Sequence, residues 1–278
     1  QLEPRGDSLV VTISPSSRSI ENVVGNFIGI EQVVTFSSTI PNQIQGSTTG
    51  SVWRVNSAGQ VTVGGVIFDG FYELVAGSGI DTLAGSAEST VWTLPSGFVD
   101  SGLMSFHPPQ YVTVEFSFSG FENLTGGTGT DLFLLEFNTS LSGDLNGGSG
   151  AENTISWQDW STPVTVNLAT PVSGNATGVV GILKNFTMLQ GGESADVLTG
   201  NISLPTVLIG NGGNDRLTGG NGRDILVGGT GIDTLTGGSG EDILLGDYFG
   251  NQESPPLLLL ILSEWKNTLR NFATRVSN

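Results

Sequence analysis

NGGNDRLTGGNGRDILVGGTGIDTLTGGSGEDILLG, residues 211–246, places an aspartate at every ninth position: Asp215, Asp224, Asp233 and Asp242. A glycine-rich turn precedes each aspartate, and an apolar residue follows two positions later. The repeating unit reads GGxGxDxUx, with U apolar. Glycine accommodates turns that need positive φ or a crowded backbone. The last three residues of each unit make a very short strand whose middle residue points inward. Leu198, Leu217, Leu226, Leu235 and Leu244 are the expected interior ladder. Two units make one turn of a flattened coil. Units 210–218 and 228–236 therefore stack on one side, and 219–227 and 237–245 on the other. Stacked aspartates then lie about one strand spacing apart, ~4.8 Å, where like charges repel.

A hard cation converts that repulsion into a binding site. Calcium takes about six to eight oxygens, from carboxylates and backbone carbonyls. The expected carboxylate pairs are Asp196 with Asp215, Asp215 with Asp233, and Asp224 with Asp242. Turn carbonyls supply the remaining oxygens, with Gly210, Gly212, Gly219, Asn221, Gly228 and Thr230 as candidates and Asp247 closing the last site. The competing role for these aspartates is to cap turns by accepting backbone N–H bonds.

The array begins before residue 211. GGESADVLT occupies 191–199 and a ten-residue unit, GNISLPTVLI, occupies 200–209. Looser copies lie upstream: AGSGIDTLA at 76–84, GGTGTDLFL at 126–134 and GGSGAENTI at 147–155. Glu152 stands for the aspartate in the last of these, and Ser194 for a glycine in 191–199. Asp81 and Asp131 lack a stacked partner in the sequence, so a turn-forming role is expected of them. Other elements also recur. Phe68-Asp-Gly-Phe71 and Phe118-Ser-Gly-Phe121 precede glycine turns, with a weaker copy ending at Phe186. Val52-Trp53-Arg54-Val55 and Val91-Trp92-Thr93-Leu94 read as one strand repeated. Residues 47–190 are thus a region of diverged β-repeats.

Residues 191–245 resemble the repeats-in-toxin family of secreted bacterial proteins. The resemblance implies a parallel β-roll that folds on meeting external calcium, in proteins often exported unfolded. The upstream blocks resemble divergent repeats of very large bacterial surface proteins, and the segment 258–276 resembles a helix that follows such arrays.

Composition agrees. The formal charge is −17, from 26 acidic and 9 basic residues. Such a field favours cations and excludes a nucleic-acid-binding face. There is no cysteine, hence no disulfide and no thiolate metal site. The longest apolar run, 257–262, is too short for a membrane span. The chain opens at Gln1, which points to processing or to a piece of a longer protein.

The remaining motifs carry little. His107 has no second histidine or cysteine to join it. Glu73, Glu115 and Glu122 are carboxylates with no pattern that selects a catalytic pair. Arg5-Gly6-Asp7 and the sequons at Asn123, Asn138, Asn175, Asn185 and Asn201 read as chance and as polar turns. Trp53, Trp92, Trp157, Trp160 and Trp265 read as packing residues.

The expected architecture is all-β, an elongated parallel β-solenoid: a regular β-roll at 191–247, irregular β-helix-like repeats at 47–190, and a strand-containing segment at 1–46. Residues 9–13, 22–24 and 30–36 are its strand-like pieces. An amphipathic helix, about 256–275 within 254–278, follows from apolar residues at 258, 262, 265, 269, 272 and 276, and is expected to cap the open end. The expected function is a non-enzymatic, calcium-stabilised structural or adhesive protein, extracellular or on the cell surface. The alternatives are a subunit that self-associates into a filament or layer, and a secretion and folding module of a larger secreted enzyme.

Overall fold

The structure is a computed structural model that describes residues 10–13, 18–20, 32–34, 43–46, 50–108, 113–169, 174–247, 258 and 261. It is all-β, with parallel strands stacked as in a solenoid. The chain divides into two compact units. One comprises Gln1–Asn153 with Gly178–Asn185, the other Thr154–Thr177 with Phe186–Asn278.

In the second unit the chain alternates between two sheets, one short strand at a time, except where Gly174–Ala176 folds back antiparallel on Thr165–Asn167. Thr154–Ser156, Met188–Gln190, Val207–Gly212, Ile225–Thr230 and Ile243–Leu245 run parallel in one sheet. Thr165–Asn167, Val197–Thr199, Arg216–Thr218 and Thr234–Thr236 run parallel in the other. Register puts the eighth-position leucines in line. Leu198 lies beside Leu217 and Leu217 beside Leu235 on one wall; Leu189, Leu208, Leu226 and Leu244 line the other. Leu198, Leu217 and Leu226 are fully buried, whereas Leu244, on the last coil, is 44% exposed. The interior ladder therefore runs as two facing rows.

The two sheets differ on their outer faces. One carries Arg216, Thr218, Thr234 and Thr236, which are exposed or half-buried. The other carries Met188, Val207, Ile209, Ile225 and Val227, all buried. Leu258 packs on this apolar face, with Ile243 and Leu245 beside it, and is 2% exposed. Of the expected helix only Leu258 and Ile261 are described, both helical; the remainder lies outside the described residues. The signal for the apolar face was present in the sequence. Alternate units end in VLI, ILV and ILL, the others in VLT, RLT and TLT.

The first unit follows the same alternation with larger coils. At two places a three-stranded antiparallel meander is inserted. One is Val52–Val55, Val61–Val63 and Val66–Asp69; the other is Thr90–Leu94, Ser101–Phe106 and Val114–Ser119. The outer strands of each meander still pair in parallel with neighbouring coils: Val52–Val55 with Thr82–Ala84, and Thr90–Leu94 with Leu132–Leu135. The repeated Trp strands thus open the meanders, and the Phe-x-Gly-Phe turns close them. Trp53, Leu83, Leu124, Leu145 and Leu183 form one fully buried row. Trp92 stacks on Phe133 with centroids 5.3 Å apart, and Trp53 meets Phe121 edge-on at 5.2 Å. Trp157 and Trp160, in the second unit, are also buried. Of the N-terminal strand pieces, Val10–Ile13 and Gln32–Val34 are strands; residues 22–24 lie outside the described residues.

Leu217 is flanked by leucines on both sides, so its cavity cannot collapse easily. Leu217→Ala is expected to cost about 2–5 kcal/mol, read by denaturant unfolding in calcium. Ile232→Ser, at a side chain 82% exposed, is expected to change stability by no more than about 0.5 kcal/mol.

Candidate metal centre

Each aspartate of the array sits two residues before an inward leucine, at the point where a turn becomes a strand. Its Oδ1 accepts the backbone N–H of the residue in the same place one coil earlier. Asp196 N–H donates to Asp215 Oδ1 at 2.7 Å, Asp215 N–H to Asp233 Oδ1 at 2.8 Å, and Asp224 N–H to Asp242 Oδ1 at 3.0 Å. These are the three pairs that the repeat arithmetic expects. Their sequence separations are 19, 18 and 18 residues; the longer coil holds the ten-residue unit 200–209.

The aspartates also cap turns. Oδ2 of Asp196 accepts the Gly192 N–H at 2.6 Å, and Oδ2 of Asp224 the Gly220 N–H at 2.7 Å. Asp215 and Asp233 depart from this. The strands before them run on through the turn, pairing Asn211 with Gly229 and Gly212 with Thr230. Their Oδ2 atoms are buried without a hydrogen-bond partner.

What those oxygens face follows from the glycines. A methyl group on Gly210 would strike both Asp215 Oδ2 and the Gly228 carbonyl oxygen. On Gly228 it would strike Asp233 Oδ2 and the Gly246 carbonyl oxygen. Gly219 stands in the same relation to Asp224 Oδ2 and the Gly237 carbonyl, and Gly191 to Asp196 Oδ2 and the Gly210 carbonyl. At each step a carboxylate oxygen and a carbonyl oxygen of the next coil converge on space that only glycine leaves open. At Asp215 and Asp233, where Oδ2 has no donor, the two acceptors repel, and a buried acceptor left unpaired costs about 1–3 kcal/mol. A divalent cation with oxygen preference fits that donor set. Among the described residues no three acidic or histidine side chains come together as a metal cluster, so a cation here must draw on carbonyls as well as carboxylates.

Electrostatics point the same way. The pKa of Asp215 is raised from 3.8 to about 6, chiefly by burial, with the charges of Asp196 and Asp233 adding to it against a backbone bond from Asp196 that lowers it. Burial likewise raises Asp196 and Asp224, the latter with a contribution from Asp242.

Of the expected carbonyl donors, Gly210 and Gly228 meet a carboxylate oxygen, and Gly219 contributes an open position. Gly212 backs onto Glu193 Oε2. The Thr230 carbonyl accepts the Gly213 N–H at 2.9 Å, and the Asn221 N–H donates to the Ile202 carbonyl at 3.1 Å. Asp247 is exposed beyond the last strand. The carbonyls of Gly237 and Gly246, which the nine-residue pattern does not single out, lie beside Asp224 and Asp233.

In the first unit Asp81 and Asp131 take the turn role. Asp81 accepts N–H bonds from Ser51 and Gly77, and Asp131 from Thr90 and Gly127. Each also has a stacked partner that spacing concealed: Asp81 N–H donates to Glu122 Oε2 at 2.7 Å, and Asp131 N–H to Asn153 Oδ1 at 2.9 Å. Asn153, not Glu152, occupies the aspartate place, because the turn at 147–153 is one residue longer than nine-residue counting allows. His107 Nδ1 lies 3.3 Å from Thr113 Oγ1 on an exposed loop. Asn138 and Asn185 sit at positive φ in turns. Arg5-Gly6-Asp7 and Trp265 lie outside the described residues.

Residues 207–235 and 218–247 match the family model of the RTX calcium-binding nonapeptide repeat, in four copies. This stretch is therefore an RTX array, and the ion that such repeats bind is calcium. Repeats of this kind are typical of secreted bacterial proteins. No curated protein and no solved structure matches the chain.

The raised aspartate values set a pH dependence. An unfolded aspartate titrates near 3.9, so the ion-free fold binds the Asp215 proton more tightly than the unfolded chain does. Its stabilising share is full below about pH 4 and is lost as pH rises through about 6. Chelated protein is expected to melt higher at pH 5 than at pH 7.5. In excess calcium that ordering is expected to flatten or reverse, because ion and proton compete for the same oxygens. Calorimetric melts across this range check it.

Proposed function

We propose that the chain is a non-enzymatic, calcium-stabilised extracellular protein with a structural or adhesive role, in which calcium binding completes the fold of the repeat array. The observation that carries the reading is the pair of buried, unpartnered Oδ2 atoms on Asp215 and Asp233 in adjacent coils. The residues that hold the ion in this reading are Asp196, Asp215, Asp224, Asp233 and Asp242. The carbonyls of Gly210, Gly228, Gly237 and Gly246 complete the set. Bound calcium supplies positive charge to the gap between carboxylate and carbonyl oxygens. The chain supplies rigidity: each Oδ1 is already tied to the coil before it, so each carboxylate is held in place ahead of binding. Calcium affinity and folding stability are then one equilibrium.

Support for a structural rather than catalytic role comes from what the functional side chains touch. The array carboxylates bond to backbone N–H groups of neighbouring coils. An outward position pairs with its stacked counterpart, Arg223 with Glu241 at 2.7 Å, an exposed ion pair worth less than about 1 kcal/mol.

Two measurements test the reading. In the wild type, calcium at about 100 times Kd adds about 2.7 kcal/mol for a single site, so excess EGTA is expected to lower the melting temperature strongly; an unchanged melt would sink the reading. Asp233→Asn keeps the Oδ1 acceptor for Asp215 N–H but replaces the unpartnered oxygen by an amide nitrogen. Calcium affinity by titration calorimetry is expected to fall at least about tenfold, a loss that even indirect partners of a metal produce. Stability in EGTA is expected to hold or rise.

A further inference from the structure

Along the stacked turns Asn153 departs from the pattern of oxygen against oxygen. Asn153 lies in the aspartate place of its coil, fully buried, two residues before inward Ile155. Its Oδ1 accepts the Asp131 N–H at 2.9 Å, as an array aspartate would. Its Nδ2 sits where the array places the second carboxylate oxygen. A methyl group on Gly147 would strike the Asn185 carbonyl oxygen and Asn153 Nδ2, just as one on Gly210 would strike the Gly228 carbonyl and Asp215 Oδ2. The two sites share one geometry and differ in one atom. At Asn153 that atom is a donor: Nδ2 donates to the Asn185 carbonyl at 3.1 Å and to the Gly150 carbonyl at 3.1 Å. The opposite amide orientation would set an oxygen against two carbonyls and an N–H against the Asp131 N–H, so the hydrogen bonds determine the assignment.

We propose that the Asn153 side-chain amide replaces a bound cation at its step of the coil, so that this turn closes its oxygen-lined gap without calcium. The inference rests on the reading above, that calcium bridges the corresponding gap in the array. The amide carries partial positive charge on its N–H groups and bridges two carbonyl oxygens, which is what the array requires of an ion. It adds no net charge, so Asp131 has a neutral neighbour in the next coil where Asp215 has carboxylates on both sides. Asn185, held at φ 63°, turns its carbonyl toward this amide. The sequence conceals the substitution, because Glu152 falls on the ninth-residue count and Asn153 does not.

The test converts the surrogate back into a carboxylate in the full chain. Asn153→Asp preserves the acceptor for Asp131 N–H and restores oxygen against oxygen. In EGTA it is expected to melt below the wild type, with faster amide exchange over residues 126–153. In millimolar calcium both differences are expected to vanish, and equilibrium dialysis is expected to find one more calcium ion per chain than in the wild type. Asn153→Ala removes both halves of the amide and is expected to lose stability equally in calcium and in EGTA. The proposal is overturned if Asn153→Asp is impaired equally in both conditions, if it equals the wild type in EGTA, if it binds no additional ion, or if it fails to fold even in calcium. A wild type that melts identically in calcium and EGTA would instead bring down the underlying reading, and this inference with it.

Discussion

The array depends on buried or half-buried carboxylates, each accepting a backbone N–H from the coil before it. That bond sets register at the turn, where the short strands contribute only three ladder residues each. It also places the other carboxylate oxygen against the carbonyl of the following coil. The stacking that orders the turns thus creates a row of facing acceptors, and the fold must neutralise them. Protonation does so only below neutral pH; a cation that prefers carboxylate and carbonyl oxygens does so at neutral pH as well.

The limits of the array follow from the same constraint. Where the aspartate place holds a neutral residue, the adjoining carboxylate is satisfied by ordinary donors. Thr206 gives both its N–H and its hydroxyl to Asp224 Oδ1, at 2.7 and 2.9 Å. Val164 gives its N–H to Asp196 Oδ1 at 2.7 Å. Within the array, stacked aspartate pairs begin after these residues and run to the last strand. In the first unit the partners of Asp81 and Asp131 are a glutamate and an amide, and aromatic packing takes over much of the cohesion: Trp92 stacks on Phe133, and Trp53 packs on Phe121.

The stacking of the aspartates was the most legible part of the sequence. Asp215, Asp233, Asp224 and Asp242 paired as counted, because a strict period leaves one way to stack. Legibility failed where the period failed. The one-residue insertion at 147–153 hid Asn153, and the meanders separated Asp81 from Glu122 by 41 residues. The apolar outer face that seats Leu258 was written in the seventh and ninth positions of alternate units, yet an inward-pointing leucine explains only the eighth. Nothing in the nine-residue pattern says which flanking positions need cover.

By itself the sequence determined the all-β parallel coil, the identity of the stacked aspartates, and calcium as the ion that such repeats bind, because glycine, aspartate and leucine at fixed intervals satisfy one geometry. Only the tertiary structure decided which carboxylate oxygens lack a donor, which carbonyls face them, and where an amide stands in for a charge. Those outcomes depend on how far each strand runs into its turn. At Asn211 and Gly212 the ladder continues and Asp215 Oδ2 is left without a partner; at Gly220 the turn N–H reaches Asp224 instead. That difference of one hydrogen bond arises between coils, from the register of neighbours 18 or 19 residues away, and no single unit encodes it.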